Sequence, residues 1–274
     1  MLSRGEVDVV SLLGLRIGTA LHRDAMGLGG PLRRQLFTPR RLHWRLELPA
    51  NLDQFLASRS KSTREGVKRY GKRLEKAFGS DLSVELLRES SDLDRIAHDL
   101  DVVAQTTYQA GLGVAFSDVE EQRRRVALGL ERGWFRAWVL SIAGTPVAFW
   151  HGYAYNRTFV IGIPGYDPEY TDHRVGTFLQ MRMIGDLCAD PDVDAIDYGR
   201  GDAEYKRRFG TESWEEQDTV VFAPSLRGVA INTIRNTILG SAQGARRALT
   251  AVGVADQIKK RWRQGLRPSS GKTR

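Results

Sequence analysis

The sequence predicts a mixed α/β (α+β) fold: a mostly antiparallel central sheet flanked by helices, with a basic helical tail at the C-terminus. Three observations lead there. Three consecutive strand-like runs between Trp134 and Asp167 are joined by tight turns, which reads as an antiparallel meander. Amphipathic helices stand on both sides of that meander. From Ser225 onward the chain holds eleven Lys/Arg against one acid.

Residues 1–44 carry weak signals. "VDVVSLLGL" reads as a strand and a turn, and "MGLGGPLRRQLFTPRR" as a loop broken by Gly27, Gly29, Gly30, Pro31 and Pro39. "LHWRLEL" from Leu42 alternates apolar and polar residues, the pattern of a half-buried strand. "STREGVKRYGKRLEKAFG" places Val67, Tyr70, Leu74 and Phe78 at helical spacing, which leaves a basic outer face. "LSVELLRE" is a strand. Two helices follow, the first opened by Ser91-x-x-Asp94 and the second by Ser117-x-x-Glu120, both with the form of a capping box. In the meander, "WFRAWVLSI" turns at "AGTP" into "VAFWHGYAY", which turns at "NR" into "TFVIGIPGYD". "HRVGTFLQMRMIGDLCAD" repeats Val175, Leu179, Met183 and Leu187 at helical spacing. "VDAIDYG" is a short buried strand, a short helix begins near Ala203 with Asp202 as its cap, and "DTVVFA" is the last strand. The tail reads as one or two helices, with "IKKRWRQGLRPSSGKTR" disordered at its end.

Charge is uneven. The 274 residues sum to +8, yet residues 59–76 hold eight Lys/Arg against two Glu, and the tail from Ser225 is more basic still. The remaining body is mildly acidic. Two basic segments on such a body imply an anionic partner: a phosphorylated ligand, a lipid surface or nucleic acid.

Several classes are disfavoured. No run approaches the roughly 20 apolar residues of a membrane span. Glu6 and Asp8 interrupt the opening residues before any signal-like core forms. The single cysteine, Cys188, has no partner for an internal disulfide, which fits a cytoplasmic setting, and reads as a small buried hydrophobe. His22, His43, His98, His151 and His173 show no metal-ligand spacing, and no HExxH, GxSxG or Walker sequence occurs. His151, mid-strand in "AFWHGYAY", is either a hydrogen-bonded core residue or a base facing a cleft.

Three constellations can carry chemistry. Arg174 and Gly176 sit where a helix begins, and helix N-termini bind phosphate through unpaired N–H groups and the dipole; Gly176 equally allows close helix–sheet packing. In "GIPGYDP", Gly162, Pro164 and Gly165 weaken strand pairing. Such a break frees backbone groups for a ligand or blunts a sheet edge. In "DYGRGDAEYKRRFG", Asp197 ends a strand, Gly199 and Gly201 bend the chain, and Tyr205 and Lys206 lie on a short helix. These groups suit proton transfer or anion binding, or else form a surface Asp–Lys pair beside a core tyrosine.

Taken together, "STREGVKRYGKRLEK", "TYQAGLG", "GWFRAWVLSIAGTPVAFWHGY", "GYDPEYTDHRVGTFLQ" and "DYGRGDAEYKRRFG" resemble the GNAT acetyltransferase superfamily. More narrowly they resemble its BioF2-like and CelD-like branch, which is related to the Fem aminoacyl transferases. The resemblance spans roughly residues 45–225. It implies a GNAT-like mixed sheet with acyl-CoA, acetyl-CoA or a longer homologue, in a V-shaped opening between two splayed strands, and no metal. Carried onto this chain, Gly162, Ile163 and Gly165 fall on the splayed strand, and Arg174, Val175, Gly176 and Thr177 on the pyrophosphate turn. The turn has one arginine and one glycine, spaced differently from the superfamily's Q/R-x-x-G-x-G/A pattern. Asp202, Tyr205 and Lys206 are expected near the reaction centre, with Asp197 and Asp167 in support and Tyr205 as proton donor. The branch often carries tandem modules. The chain is accordingly expected to divide into a remnant of a preceding half plus linker (1–44), one acyltransferase domain (45–224) and the basic tail (225–274).

The implied reaction is acyl transfer to an amine or hydroxyl of a small molecule or glycan, in cell-envelope or exopolysaccharide synthesis. Two alternatives stand beside it. One is a Fem-like transferase using aminoacyl-tRNA. The other is a catalytically degenerate module whose basic tail contacts anionic membrane at the cytoplasmic face, or nucleic acid.

Overall fold

The computed structural model describes residues 2–251; the terminal run expected to be disordered lies outside them. In chain order the elements are β1 (Val9–Arg16), α1 (Ala20–Gly27), α2 (Gly30–Arg33), β2 (Arg40–Glu47), α3 (Leu52–Ala57), α4 (Lys61–Phe78), β3 (Leu82–Leu87), α5 (Leu93–Gln105), α6 (Tyr108–Gly111), α7 (Glu120–Glu131), β4 (Phe135–Ile142), β5 (Thr145–Tyr155), β6 (Thr158–Ile161), β7 (Gly165–Tyr166), α8 (Val175–Cys188), β8 (Ala195–Arg200), α9 (Glu204–Phe209), β9 (Glu212–Phe222) and α10 (Leu226–Ala251). They form two compact units: Arg45–Gly199, and the chain before Arg45 together with the chain from Arg200.

In the 45–199 unit the strand order is β8-β6-β5-β4-β3, with β7 paired to β5. Pairing is antiparallel except for β6 with β8, which is parallel. β4 is buried along its whole length, because helices cover both faces of the sheet. Strand alternation assigns the faces. Phe135, Ala137 and Val139 of β4 and Phe149 of β5 join Ile96, Leu100 and Val103 of α5 and Val126 and Leu130 of α7 in one core cluster. Trp138 and Trp150 point to the opposite face, where their indole N–H groups donate to Asp186 Oδ2 (2.7 Å) and the Gly176 carbonyl (3.0 Å) of α8. α8 has two apolar sides: Leu179, Met183, Ile184 and Leu187 are all fully buried.

In the other unit β1 pairs antiparallel with β9, with an irregularity between Leu12 and Leu15. There Gly14 takes a φ of +71°, and its N–H donates to Asp218 Oδ1 (2.9 Å). Arg200 bridges Glu216 (2.9 Å) and Asp218 (2.9 Å). His43 stacks on Trp214 at 4.6 Å with Nδ1 2.9 Å from Glu216 Oε1. β9 therefore begins at Glu212, several residues before the apolar "DTVVFA": its charged first half is neutralised across the strands, a pairing that hydrophobic periodicity does not report. α10 is one continuous helix over the described tail. Buried Asn232 fixes it by donating to the Leu32 carbonyl (2.8 Å), while Ile234 and Ile238 stay exposed.

Several local expectations need correction. The weakly marked opening residues are helical in part: Thr19 caps α1 through the His22 N–H, and within the segment read as a loop Pro31 sits in the first turn of α2, where its missing N–H costs nothing. The caps of α5, α7 and α9 differ too. The Asp92 carboxylate accepts from the N–H groups of Arg88 and Glu89, one turn before α5. The Ser117 carbonyl accepts from Val119 N–H (2.9 Å), so the chain turns there and Val119 becomes the N-cap of α7. Ala203 is the N-cap of α9, because the Asp202 carboxylate pairs with Arg207 (3.3 Å).

Candidate functional site

The parallel ladder of β6 and β8 pairs Thr158–Val160 with Ala195–Asp197 and goes no further. Beyond it the two strands end differently. On β5, Gly152 faces Ile161 and Phe149 faces Gly165. Three residues, Gly162, Ile163 and Pro164, thus stand opposite two, Trp150 and His151: a bulge of one residue. Gly162 N–H still donates to the His151 carbonyl (2.8 Å), but Pro164 has no N–H to give. The bulge opens the sheet on the side of β8, and the Gly162–Pro164 backbone borders that opening.

The glycines of the bulge are required by packing. A Cβ at Gly162 would overlap the imidazole of His151, and one at Gly165 would overlap the ring of Phe149. Gly176 differs: a Cβ there would meet only the Tyr166 ring, at 3.5 Å, an ordinary contact. Close packing does not demand glycine at 176.

The start of α8 lies on the Trp138/Trp150 face of the sheet. Arg174, its N-cap, takes the left-handed conformation (φ 56°, ψ 35°), uncommon for a residue other than glycine. Its carbonyl accepts from the N–H groups of Thr177 and Phe178 (both 3.0 Å). The N–H groups of Val175 and Gly176 have no earlier carbonyl in the helix to bond, as at any helix start. The Arg174 guanidinium lies 5.9 Å from the ring of Tyr70 on α4. α4 packs along α8, Gly71 facing Phe178, and Lys61, Lys68, Arg69, Lys72, Arg73 and Lys76 are exposed along it. The start of α8 is thus a positive, donor-rich surface.

On the opposite face is a cavity of about 460 Å³ walled by Phe116, Val126, Trp134, Phe135 and Ile163, with His151 and Tyr153. His151 is ringed by Phe116, Phe135 and Phe149, at centroid distances of 5.7, 5.8 and 5.7 Å. Its Nδ1 is buried without a hydrogen-bond partner. Burial holds its pKa down at about 4, against a partly opposing hydrogen bond to the Ile163 backbone. The imidazole is therefore neutral near pH 7 and can accept a proton or a hydrogen bond. Burial also raises the phenol of Tyr153. The site has two halves, a cationic surface at α8 and an apolar cavity, on opposite faces of a sheet opened by the bulge.

Of the residues expected from the sequence, Gly162, Ile163, Gly165, Arg174, Val175, Gly176 and Thr177 lie on the bulge and at the start of α8. Asp197 is on β8 beside Val160, and its Oδ1 accepts from Gly199 N–H (2.6 Å). Asp167 caps the turn after β7 through Glu169 N–H (2.9 Å). Asp202, Tyr205 and Lys206 belong to the other unit. There Asp202 is paired with Arg207, Tyr205 is half-buried on α9, and buried Lys206 donates to the Arg200 carbonyl (2.8 Å). Cys188 ends α8 half-buried, its thiol pushed up to about 11 by burial, which leaves little thiolate near pH 7. Sequence reading did not find the cavity, because Val114–Phe116, α7 and β5 meet only in three dimensions.

The start of α8 thus sits over Trp150, one of the two residues opposite the bulge. A sequence profile of the acetyltransferase (GNAT) domain matches residues 61–207; the chain belongs to that family. Solved structures share the fold at low identity. One is FemX, at 12% identity with a TM-score of 0.54, covering 80% of this chain and 73% of that one. Another is the C-terminal domain of a putative lysylphosphatidylglycerol synthetase from Agrobacterium fabrum, at 15% identity and TM-score 0.54, with 86% and 74% covered. A third is a conserved protein of unknown function from Bacteroides thetaiotaomicron, at 14% identity and TM-score 0.51, with 77% and 69% covered. No curated protein matches the chain. Among the described residues no helix is long and apolar enough to cross a membrane.

Proposed function

We propose that the protein transfers an acyl group, acetyl or longer, from acyl-CoA to an amine or hydroxyl. The observation that carries this is the Gly162–Pro164 bulge beside the parallel β6–β8 pair, with the start of α8 next to it. In this reading the backbone freed at the bulge binds the extended pantetheine arm as a strand would. The N–H groups of Val175 and Gly176, with Arg174, hold the pyrophosphate. The exposed lysines of α4 attract the same polyanion. Gly176 fits this role because a bare backbone lets phosphate oxygens come close. The thioester then projects through the opening towards the cavity side, where the acceptor attacks it.

Calorimetric titration with CoA, acetyl-CoA and longer acyl-CoAs tests the donor. Binding in the micromolar range that weakens at least tenfold in Gly176→Ala is expected; heats indistinguishable from dilution for every thioester would overturn the reading.

The exposed basic row of α4 favours a second reading, in which the donor is an aminoacyl-tRNA. Retention of charged tRNA on filters at physiological salt, without CoA binding, would decide for it.

A further inference from the structure

The cavity on the α5–α7 face has a chemistry of its own. Its walls are chiefly aromatic and aliphatic. Besides His151 and Tyr153, its polar groups come from Gln122, Arg125 and the single indole N–H of Trp134, and Arg125 is an exposed residue already paired with Glu121 (2.5 Å). A volume of about 460 Å³ is within the range of pockets that enclose a small organic molecule. A sugar, with a hydroxyl on almost every carbon, would leave most of those groups unpaired against such walls, at a cost of about 1–3 kcal/mol for each. An aryl or alkyl body would lose nothing and would gain from burial.

Within that apolar wall His151 Nδ1 is a buried polar atom with no hydrogen-bond partner. Such atoms are uncommon in folded proteins, and each calls for a cause such as a catalytic role or a bound water or ion. His151 also packs directly on Gly162 of the bulge, and Ile163 of the bulge is part of the cavity wall. The cavity and the sheet opening therefore share two residues.

We propose that this cavity is the acceptor pocket, that it takes a primary amine or alcohol on an aromatic or short aliphatic body, and that His151 receives the hydrogen bond of the attacking group. The inference rests on the acyl-transfer reading above. In the step it implies, the acceptor nitrogen or oxygen attacks the thioester carbonyl carbon. A C–N or C–O bond forms and the C–S bond breaks. The acceptor's proton passes to His151, and the departing CoA thiolate takes that proton back, so the imidazole ends neutral. The unshared pair required of His151 is available because the ring is neutral near pH 7.

The test uses the full chain. Phenethylamine at pH 9, 2-phenylethanol and glucosamine are titrated without CoA, followed by the shifts of the Trp134 indole and His151 ring signals in NMR. Leu128 lines the cavity and is 48% exposed, so Leu128→Trp can fill the mouth without disturbing the core. The phenyl compounds are expected to bind the wild type at least tenfold more tightly than glucosamine, and Leu128→Trp to weaken them at least tenfold with its CoA affinity unchanged. Preference for glucosamine, or phenyl binding indifferent to Leu128→Trp, would overturn the proposal. Phenyl binding by a protein that takes no CoA would remove the donor reading and leave the pocket. With an acyl-CoA that binds, His151→Gln is expected to lower kcat at least a hundredfold with KM for the acceptor within about threefold; an unchanged kcat would remove His151 from the reaction.

Discussion

The imidazole of His151 occupies the space that a side chain at Gly162 would need. The histidine and the bulge are therefore coupled: His151 keeps its place because residue 162 has no Cβ.

Gly162→Ala is expected to cost about 1–3 kcal/mol, the usual range for overpacking, read as a fall in Tm, together with weakened CoA binding. Gly176→Ala is expected to do the opposite to stability. The site has room for a methyl group, and alanine is favoured over glycine in a helix by about 1 kcal/mol. A variant that melts at or above the wild-type temperature and yet binds CoA at least tenfold more weakly separates ligand contact from packing. Wild-type affinity in Gly176→Ala would place the pyrophosphate elsewhere.

His151 gives the protein a specific pH dependence. Unfolded, the residue titrates near 6.5; folded, at about 4. Between those values the unfolded chain binds more protons, so stability falls as pH drops from 6.5 towards 4 and is fully present above 6.5. The shift corresponds to at most about 3 kcal/mol. The cavity lining also carries the Arg125 guanidinium, paired with exposed Glu121, and the phenol of Tyr153, which burial raises and which is neutral at these pH values; Arg132 lies 5.6 Å from the ring of Trp134. His151→Phe is expected to narrow the difference in Tm between pH 7.5 and pH 4.5; an identical difference in both proteins would contradict the burial argument.

Lys68, Lys72 and Lys76 lie four residues apart on the exposed side of α4. Replacing all three with alanine should change stability by less than about 1 kcal/mol, since exposed charges contribute little. CoA affinity should fall roughly 3–10-fold at low salt and converge with wild type near 0.5 M, where screening is strong. A deficit that persists at high salt would indicate direct contacts in place of long-range attraction.

Tyr205 and Lys206 separate cleanly by experiment. Lys206→Met leaves the Arg200 carbonyl without its buried donor, which should cost about 1–3 kcal/mol and lower Tm. Tyr205→Phe removes only a phenol oxygen. With His151 returning the proton to the departing thiolate, turnover of folded Tyr205→Phe is expected to stay within about threefold of wild type; a fall of tenfold or more would make Tyr205 the proton source instead.

Local sequence signals mark the class of fold and the order of its main strands and long helices, but not the short helices α1, α2, α3 and α6. Strand-like runs joined by tight turns marked β4, β5 and β6, helical spacing marked α4 and α8, and Gly162, Pro164, Gly165 and Gly176 marked the interrupted strand and the helix start. These signals are local: each depends on residues within a turn or a strand of one another. Tertiary structure decided the rest. Whether a glycine is required or merely allowed depends on what sits opposite, and only packing sets the His151 ring against Gly162 and leaves Gly176 room for a methyl group. The charged half of β9 is held by partners distant in the chain: Arg200 pairs with Glu216 and Asp218, and Gly14 N–H donates to Asp218. The cavity exists because Val114–Phe116, α7 and β5 converge, and burial there, a property of the assembled core, makes His151 a neutral base.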